Sequence, residues 1–154
     1  MTGVRPDTAA APRDEQYARR LLRAHGLRCT APRVAVLGTL ARDREHGHLT
    51  VAQIQRRLAD TGHDVDPTTV YRTVSTLLDA DVLHALIIDD RVTSYGLTDI
   101  PHHHAVCTHC GAITEVPADH LTTALAEARL GSSFALPDTA GLTLHGLCPT
   151  CQGR

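Results

Sequence analysis

No apolar run in this sequence approaches the roughly 20 residues that a membrane span requires, which excludes a transmembrane role. Lysine is absent, so every side-chain cation fixed at neutral pH is an arginine; tryptophan is absent too, and phenylalanine occurs once. Neither an H-x-E nor an H-E-x-x-H pattern is present, and the cysteine pairs lack the preceding His-x-Glu of zinc deaminases. That argues against zinc-dependent hydrolysis or deamination. The first thirteen residues, MTGVRPDTAAAPR, have neither a basic start followed by an apolar stretch nor the amphipathic Arg/Ser pattern of a transit peptide. They read as a loose arm on a cytoplasmic protein.

What is present suffices for a folded core. A chain of 154 residues, 42% hydrophobic, can build one domain of ordinary size or two small ones. Its charge is more informative split than summed to the net −2. Residues 1–81 hold 12 Arg against 10 acids; residues 82–154 hold 3 Arg against 7 acids, with seven of the eleven His and four of the five Cys. A basic first half beside an acidic, His- and Cys-rich second half predicts one part that meets an anion and another that holds a cation.

Four helices are predicted in the first half. Asp14 to His25 places Tyr17, Leu21 and Leu22 on one stripe and stops before Gly26. Thr30 caps a second, with Pro32 in its first turn and Val34, Leu37, Leu40 and Ala41 at helical spacing. Thr50 caps a third, carrying Val51, Ile54 and Leu58 up to Gly62. Asp66 and Pro67 open the fourth, whose buried stripe is Val70, Val74, Leu77 and Leu78. After Asp81, two apolar runs flank Asp89-Asp90-Arg91 and predict a hairpin. Short helices closed by a hairpin form a winged helix-turn-helix, although the same pattern also suits a protein-interaction module. The fourth helix favours DNA. Thr68, Thr69, Tyr71 and Arg72 offer donors to bases and phosphates, and no acidic side chain lies between Pro67 and Leu78.

Two C-x-x-C pairs, Cys107/Cys110 and Cys148/Cys151, are separated by 37 residues. Each pair brings two thiolates together, and four complete a tetrahedral structural zinc shell. Between them the pattern predicts a strand over residues 111–116, a helix over 119–129 with Leu121, Leu125 and Ala128 on its apolar face, and a strand over 141–147. Ahead of the first pair stand His102, His103 and His104. If extended, the segment puts His102 and His104 on one face and His103 on the other, half a metal site.

Taken together, P-T-T-V-Y-R-T-V (67–74), H-x-H-x-x-C-x-x-C-G (102–111) and the terminal C-x-x-C resemble the ferric uptake regulator family from about Leu21 to Cys151. The resemblance implies an α+β protein with a winged helix-turn-helix DNA-binding domain (14–97), a hinge (98–104) and a small α/β dimerisation and metal-binding domain (105–154). It implies a homodimeric, metal-responsive transcription regulator, expected to be a repressor, on double-stranded DNA with an inverted-repeat operator. One structural Zn2+ per chain sits at the four cysteines, and a regulatory divalent metal clamps the two domains. The family's sensor ligands carry over to His48, His102, His104 and Glu115. One is missing, because Gly96 stands where the family usually has a carboxylate or cysteine; Asp99 is near enough in sequence to substitute. Pro101 occupies a position where a further ligand is common, leaving only His103 for an additional site.

Three imidazoles with one or two carboxylates suit Zn2+, Fe2+, Mn2+, Ni2+ or Co2+. The resemblance assigns Tyr71 and Arg72 to the major groove, and Arg28 and Arg33 to phosphates or the minor groove. His109, His120 and His145 remain surface residues, and Cys29 a small buried one. The rival functions are a zinc-ribbon adaptor that binds protein and, less favoured, a zinc-dependent hydrolase.

Overall fold

The computed structural model describes residues 11–44, 47–88, 92–135 and 141–153. Most of the N-terminal arm and the Asp89-Asp90-Arg91 turn therefore lie outside the described residues. The chain divides into two compact units, Met1–Thr98 and Asp99–Arg154. Among the described residues no helix is long and apolar enough to cross a membrane.

The first unit contains α1 (Ala11–Ala24), α2 (Ala31–Arg42), α3 (Val51–Asp60), α4 (Pro67–Asp79), β1 (Leu83–Ile88) and β2 (Val92–Leu97). Among the described residues α1 runs from Ala11, which already lies inside the stretch read as an arm. Its contact with α2 is carried by the fully buried Ala18 and Leu22. Tyr17 and Leu21, expected on the central stripe, flank it half-buried, since a small residue allows the closer approach. Gly26, at φ +68°, ends the helix: the Leu27 N–H turns back to the Leu22 carbonyl at 2.8 Å.

Helix α2 is the centre of the unit. Val34 through Leu40 are buried without interruption, and α1, α3, α4 and β2 all pack on it. Thr50 caps α3 in a reciprocal box, accepting from the Gln53 N–H at 3.2 Å while Gln53 Oε1 accepts from the Thr50 N–H at 2.8 Å. Asp66 caps α4 by accepting from the Thr69 N–H at 2.9 Å. Ile54, Leu58, Val70, Val74 and Leu77 complete the core.

Strands β1 and β2 pair antiparallel, with Leu83 opposite Leu97 and His84 opposite Gly96. A short antiparallel bridge between Leu49 and Tyr95, bonded in both directions at 3.0 and 2.8 Å, joins the α2–α3 connection to β2. Four helices and a hairpin stitched in this way make the expected winged helix-turn-helix.

The second unit contains β3 (His102–Cys107), β4 (Ile113–Pro117), a 3-10 turn (Ala118–Leu121), α5 (Thr122–Ser132) and β5 (Thr143–Gly146). The sheet order is β4-β3-β5, antiparallel between β3 and β4 and parallel between β3 and β5. Residues 102–104, read as hinge, are the first half of β3: they pair with residues 115–117, and His104 also lies opposite Thr143. On α5 only Leu125 of the expected apolar face is buried. Leu121 is half-buried and Ala128 exposed, because among the described residues of this unit none buries that side of the helix.

Candidate metal centres and nucleic-acid face

The four-cysteine centre begins where β3 ends. The chain turns after Cys107 with the Gly111 N–H on the Cys107 carbonyl at 2.9 Å, and after Cys148 with the Cys151 N–H on its carbonyl, also at 2.9 Å. These turns, brought together by β5 lying alongside β3, gather all four sulfurs within 4.8 Å of one another. Cys110 Sγ and Cys148 Sγ are 3.7 Å apart, and none of the cysteines is in a disulfide. A tetrahedral zinc with sulfur at about 2.3 Å spaces its ligands by about 3.8 Å, so the donor set fits that ion. The thiols do not ionise alike. Backbone N–H groups of Cys148 and then Cys110 pull the Cys107 thiol down to about 6. The hydrogen bond with Cys148 and burial push Cys151 up to about 12. Such a cluster carries four thiolates only with a cation among them.

A second group lies on one face of β3 and β4. His102 and His104 are two apart on β3, Glu115 is directly opposite His104, and the two rings meet edge to face with centroids 4.9 Å apart. The His102 Nδ1–H donates to the Ile100 carbonyl at 2.7 Å. In a neutral ring this leaves the Nε2 lone pair as the donor to a metal, the arrangement in which ligating histidines are usually oriented. Nε2 lies 3.6 Å from Glu115 Oε1. Asp99, withdrawn in part from water, has its carboxyl pKa raised above the usual value, with the Ile100 N–H opposing the rise.

His103 faces the other way and is buried. Its Nδ1 accepts the Leu142 N–H at 3.0 Å, so the proton of the neutral ring sits on Nε2 and neither nitrogen offers a lone pair to a metal. His109, His120 and His145 are exposed, and Cys29 is half-buried at the edge of the first unit's core.

In the first unit His48 meets a residue that sequence reasoning passed over. His48 Nε2 is 2.5 Å from His84 Nε2, with ring centroids 4.7 Å apart and planes at 66°. Two bare lone pairs at that distance would repel, so either one ring donates its Nε2–H to the other's lone pair, as neutral tautomers allow, or a cation takes the proton's place. Gly96 lies beneath: a Cβ there would stand 2.5 Å from His48 Nε2. The signal available in the sequence was a polar His inside the apolar run 82–88.

The exposed face of α4 carries Thr68, Tyr71 and Arg72, with Tyr71 62% exposed. Thr69 is half-buried, and its hydroxyl donates to Asp66 at 2.5 Å, which leaves its oxygen as an acceptor. Arg28 is exposed beside the start of α2, and Arg33 Nη1 donates to the Arg28 carbonyl at 3.2 Å.

Residues 24–139 match the ferric uptake regulator family. The ferric uptake regulation protein of Legionella pneumophila is 30% identical over 132 residues, covering 85% of this chain and 96% of its own. Two solved structures align over nearly their whole length. The ferric uptake regulator of Pseudomonas aeruginosa with manganese has a TM-score of 0.70 at 28% identity, covering 86% of this chain and 98% of its own. That of Vibrio cholerae has a TM-score of 0.68 at 26% identity, covering 84% and 98%. The family consists of metal-responsive, DNA-binding transcription regulators and not of enzymes, which removes the hydrolase reading. With its winged helix-turn-helix, its four-cysteine centre and these matches, the chain belongs to the ferric uptake regulator family.

Proposed function

We propose that the protein is a homodimeric, metal-dependent repressor acting in the cytoplasm on double-stranded DNA with an inverted-repeat operator, its targets being genes of metal homeostasis or oxidative stress. Cys107, Cys110, Cys148 and Cys151 hold one structural Zn2+ per chain. His48, His102, His104 and Glu115, with Asp99 as a further carboxylate, hold the regulatory cation, which is Zn2+, Fe2+, Mn2+ or Ni2+. The observation that carries this reading is the orientation of His102: its Nδ1–H is committed to the Ile100 carbonyl, and its Nε2 shares a face with His104 and Glu115.

A bound cation supplies a link between ligands drawn from both units. It raises DNA affinity only by as much as it prefers the DNA-competent arrangement. Tyr71, Arg72 and Thr68 then read the major groove, joined by Thr69 through its oxygen, while Arg28 and Arg33 approach phosphates or the minor groove. The exposed Leu130, Phe134, Leu144 and Leu147 of the second unit form apolar surface that a second copy would cover, which supports the homodimer. A symmetric dimer in turn favours an inverted repeat.

The test is a mobility-shift assay on the protein's own promoter, with structural zinc in place, as free zinc, ferrous iron, manganese and nickel are each titrated. Wild-type affinity is expected to rise with at least one of them, and His48→Ala to lose that response. A flat wild-type curve for every metal, or a full response in His48→Ala, refutes the clamp.

A further inference from the structure

We propose that His84 is a metal ligand of the first unit, standing in for the side chain that Gly96 does not supply; the proposal rests on the regulatory-metal reading above. Three features of the hairpin lead to it. His84 and Gly96 are direct partners across β1 and β2, so both positions address the same face. The Leu49–Tyr95 bridge holds residue 48 against β2, beside Gly96. His48 consequently reaches over Gly96, and its Nε2 meets His84 Nε2 at 2.5 Å, a hydrogen-bonding distance; with metal–nitrogen bonds of about 2.0–2.1 Å the two nitrogens part by about 1 Å to share one tetrahedral ion.

The glycine is what makes room. A Cβ at position 96 would stand 2.5 Å from His48 Nε2 and 2.8 Å from its Cδ2, closer than real contacts allow. A carboxylate or thiolate at 96 and an imidazole at 48 in its present place exclude one another. The donor that β2 cannot carry is therefore carried by β1, on the same face.

The exchange alters the kind of donor as well as its address. Two imidazoles, with neither thiolate nor carboxylate, make up the first unit's contribution. Such a contribution suits zinc, nickel or cobalt, and it is poor for manganese, which prefers oxygen ligands.

The experiment uses the full-length protein with its four cysteines filled by zinc and follows cobalt(II) titrations by the visible d–d bands. His84→Ala is expected to weaken cobalt binding at least about tenfold, whereas the exposed His63→Ala leaves it unchanged. His84→Cys is the sharper variant, because a sulfur on the metal adds a thiolate-to-cobalt charge-transfer band that wild-type protein lacks. That band places residue 84 on the ion, and it distinguishes a ligand from a residue that only packs. Cobalt bound to His84→Cys without the band overturns the proposal, as does unchanged affinity in His84→Ala. The regulatory-metal reading is scored separately by His48→Ala. If that variant loses cobalt while His84→Ala does not, only the role of His84 falls; if neither changes binding, both readings fall together.

Discussion

At the scale of single residues, function depends on which atom a side chain has left to offer. His102 and His103 are adjacent and chemically identical, yet a carbonyl takes the Nδ1 proton of the first while an N–H occupies the Nδ1 lone pair of the second. The first can ligate through Nε2, and the second cannot ligate in this state. The alternation of an extended segment was enough to separate their faces; the tautomers required the partners at Ile100 and Leu142. The same logic applies to Arg72, whose guanidinium stands on the exposed side of α4 with no acidic neighbour in the preceding turn of the helix. Arg72→Ala is expected to weaken operator binding by about 1–3 kcal/mol, and Tyr71→Phe by less. Fluorescence anisotropy across a salt series checks this, and unchanged binding by Arg72→Ala would mean that α4 does not face DNA.

At the scale of elements, the ends of helices were legible because capping is local chemistry. Thr50 with Gln53 and Asp66 with Pro67 mark starts that need only three or four residues to form. Hydrogen bonds from the Thr69 hydroxyl and then its backbone N–H hold the Asp66 carboxyl below its usual pKa. A depressed folded-state pKa contributes stability that is fully present above the unfolded value and is lost as pH falls through the folded one. Asp66→Ala should therefore melt several degrees below wild type near neutral pH, and the gap should narrow as the solution is acidified below the ordinary carboxylate range. Thermal melts of both proteins followed by helical circular dichroism give the comparison, and a gap independent of pH would show that the carboxylate charge is not what caps α4. The face of α5 was less legible. Periodicity selected Leu121, Leu125 and Ala128, but burial needs a covering layer, and among the described residues Leu125 is buried, Leu121 half-buried and Ala128 exposed.

At the scale of the whole molecule, the two units are held together by different means. The first has a continuous apolar core running from Ala18 to Leu97. In the second, the buried apolar residues among those described are Val106, Leu125 and the cysteines Cys107 and Cys151. In a unit of that size with so small a core, the zinc proposed for the four cysteines would supply much of the stability. Removing zinc with a strong chelator, or replacing Cys148 with Ser, is expected to unfold the second unit while the helices of the first persist. Amide exchange resolved along the chain tests this: protection should vanish across β3, β4 and β5 and survive in α2 and α4. Retained protection in β3 after complete zinc loss would show that the sheet stands without the ion.

The sequence by itself determined the helix starts, the hairpin, the pairing of the four cysteines and the shared face of His102 and His104. Each follows from spacing within a few residues or from a donor set that only a cation satisfies. Tertiary structure alone decided the partnership of His48, His84 and Gly96. Positions 84 and 96 share a face only through the β1–β2 register, and His48 reaches them only through the bridge from Leu49 to Tyr95. The missing side chain at 96 is legible in the sequence as an absence. That it is a cavity filled by an imidazole follows from backbone hydrogen bonds between residues 46 positions apart, which no local pattern encodes.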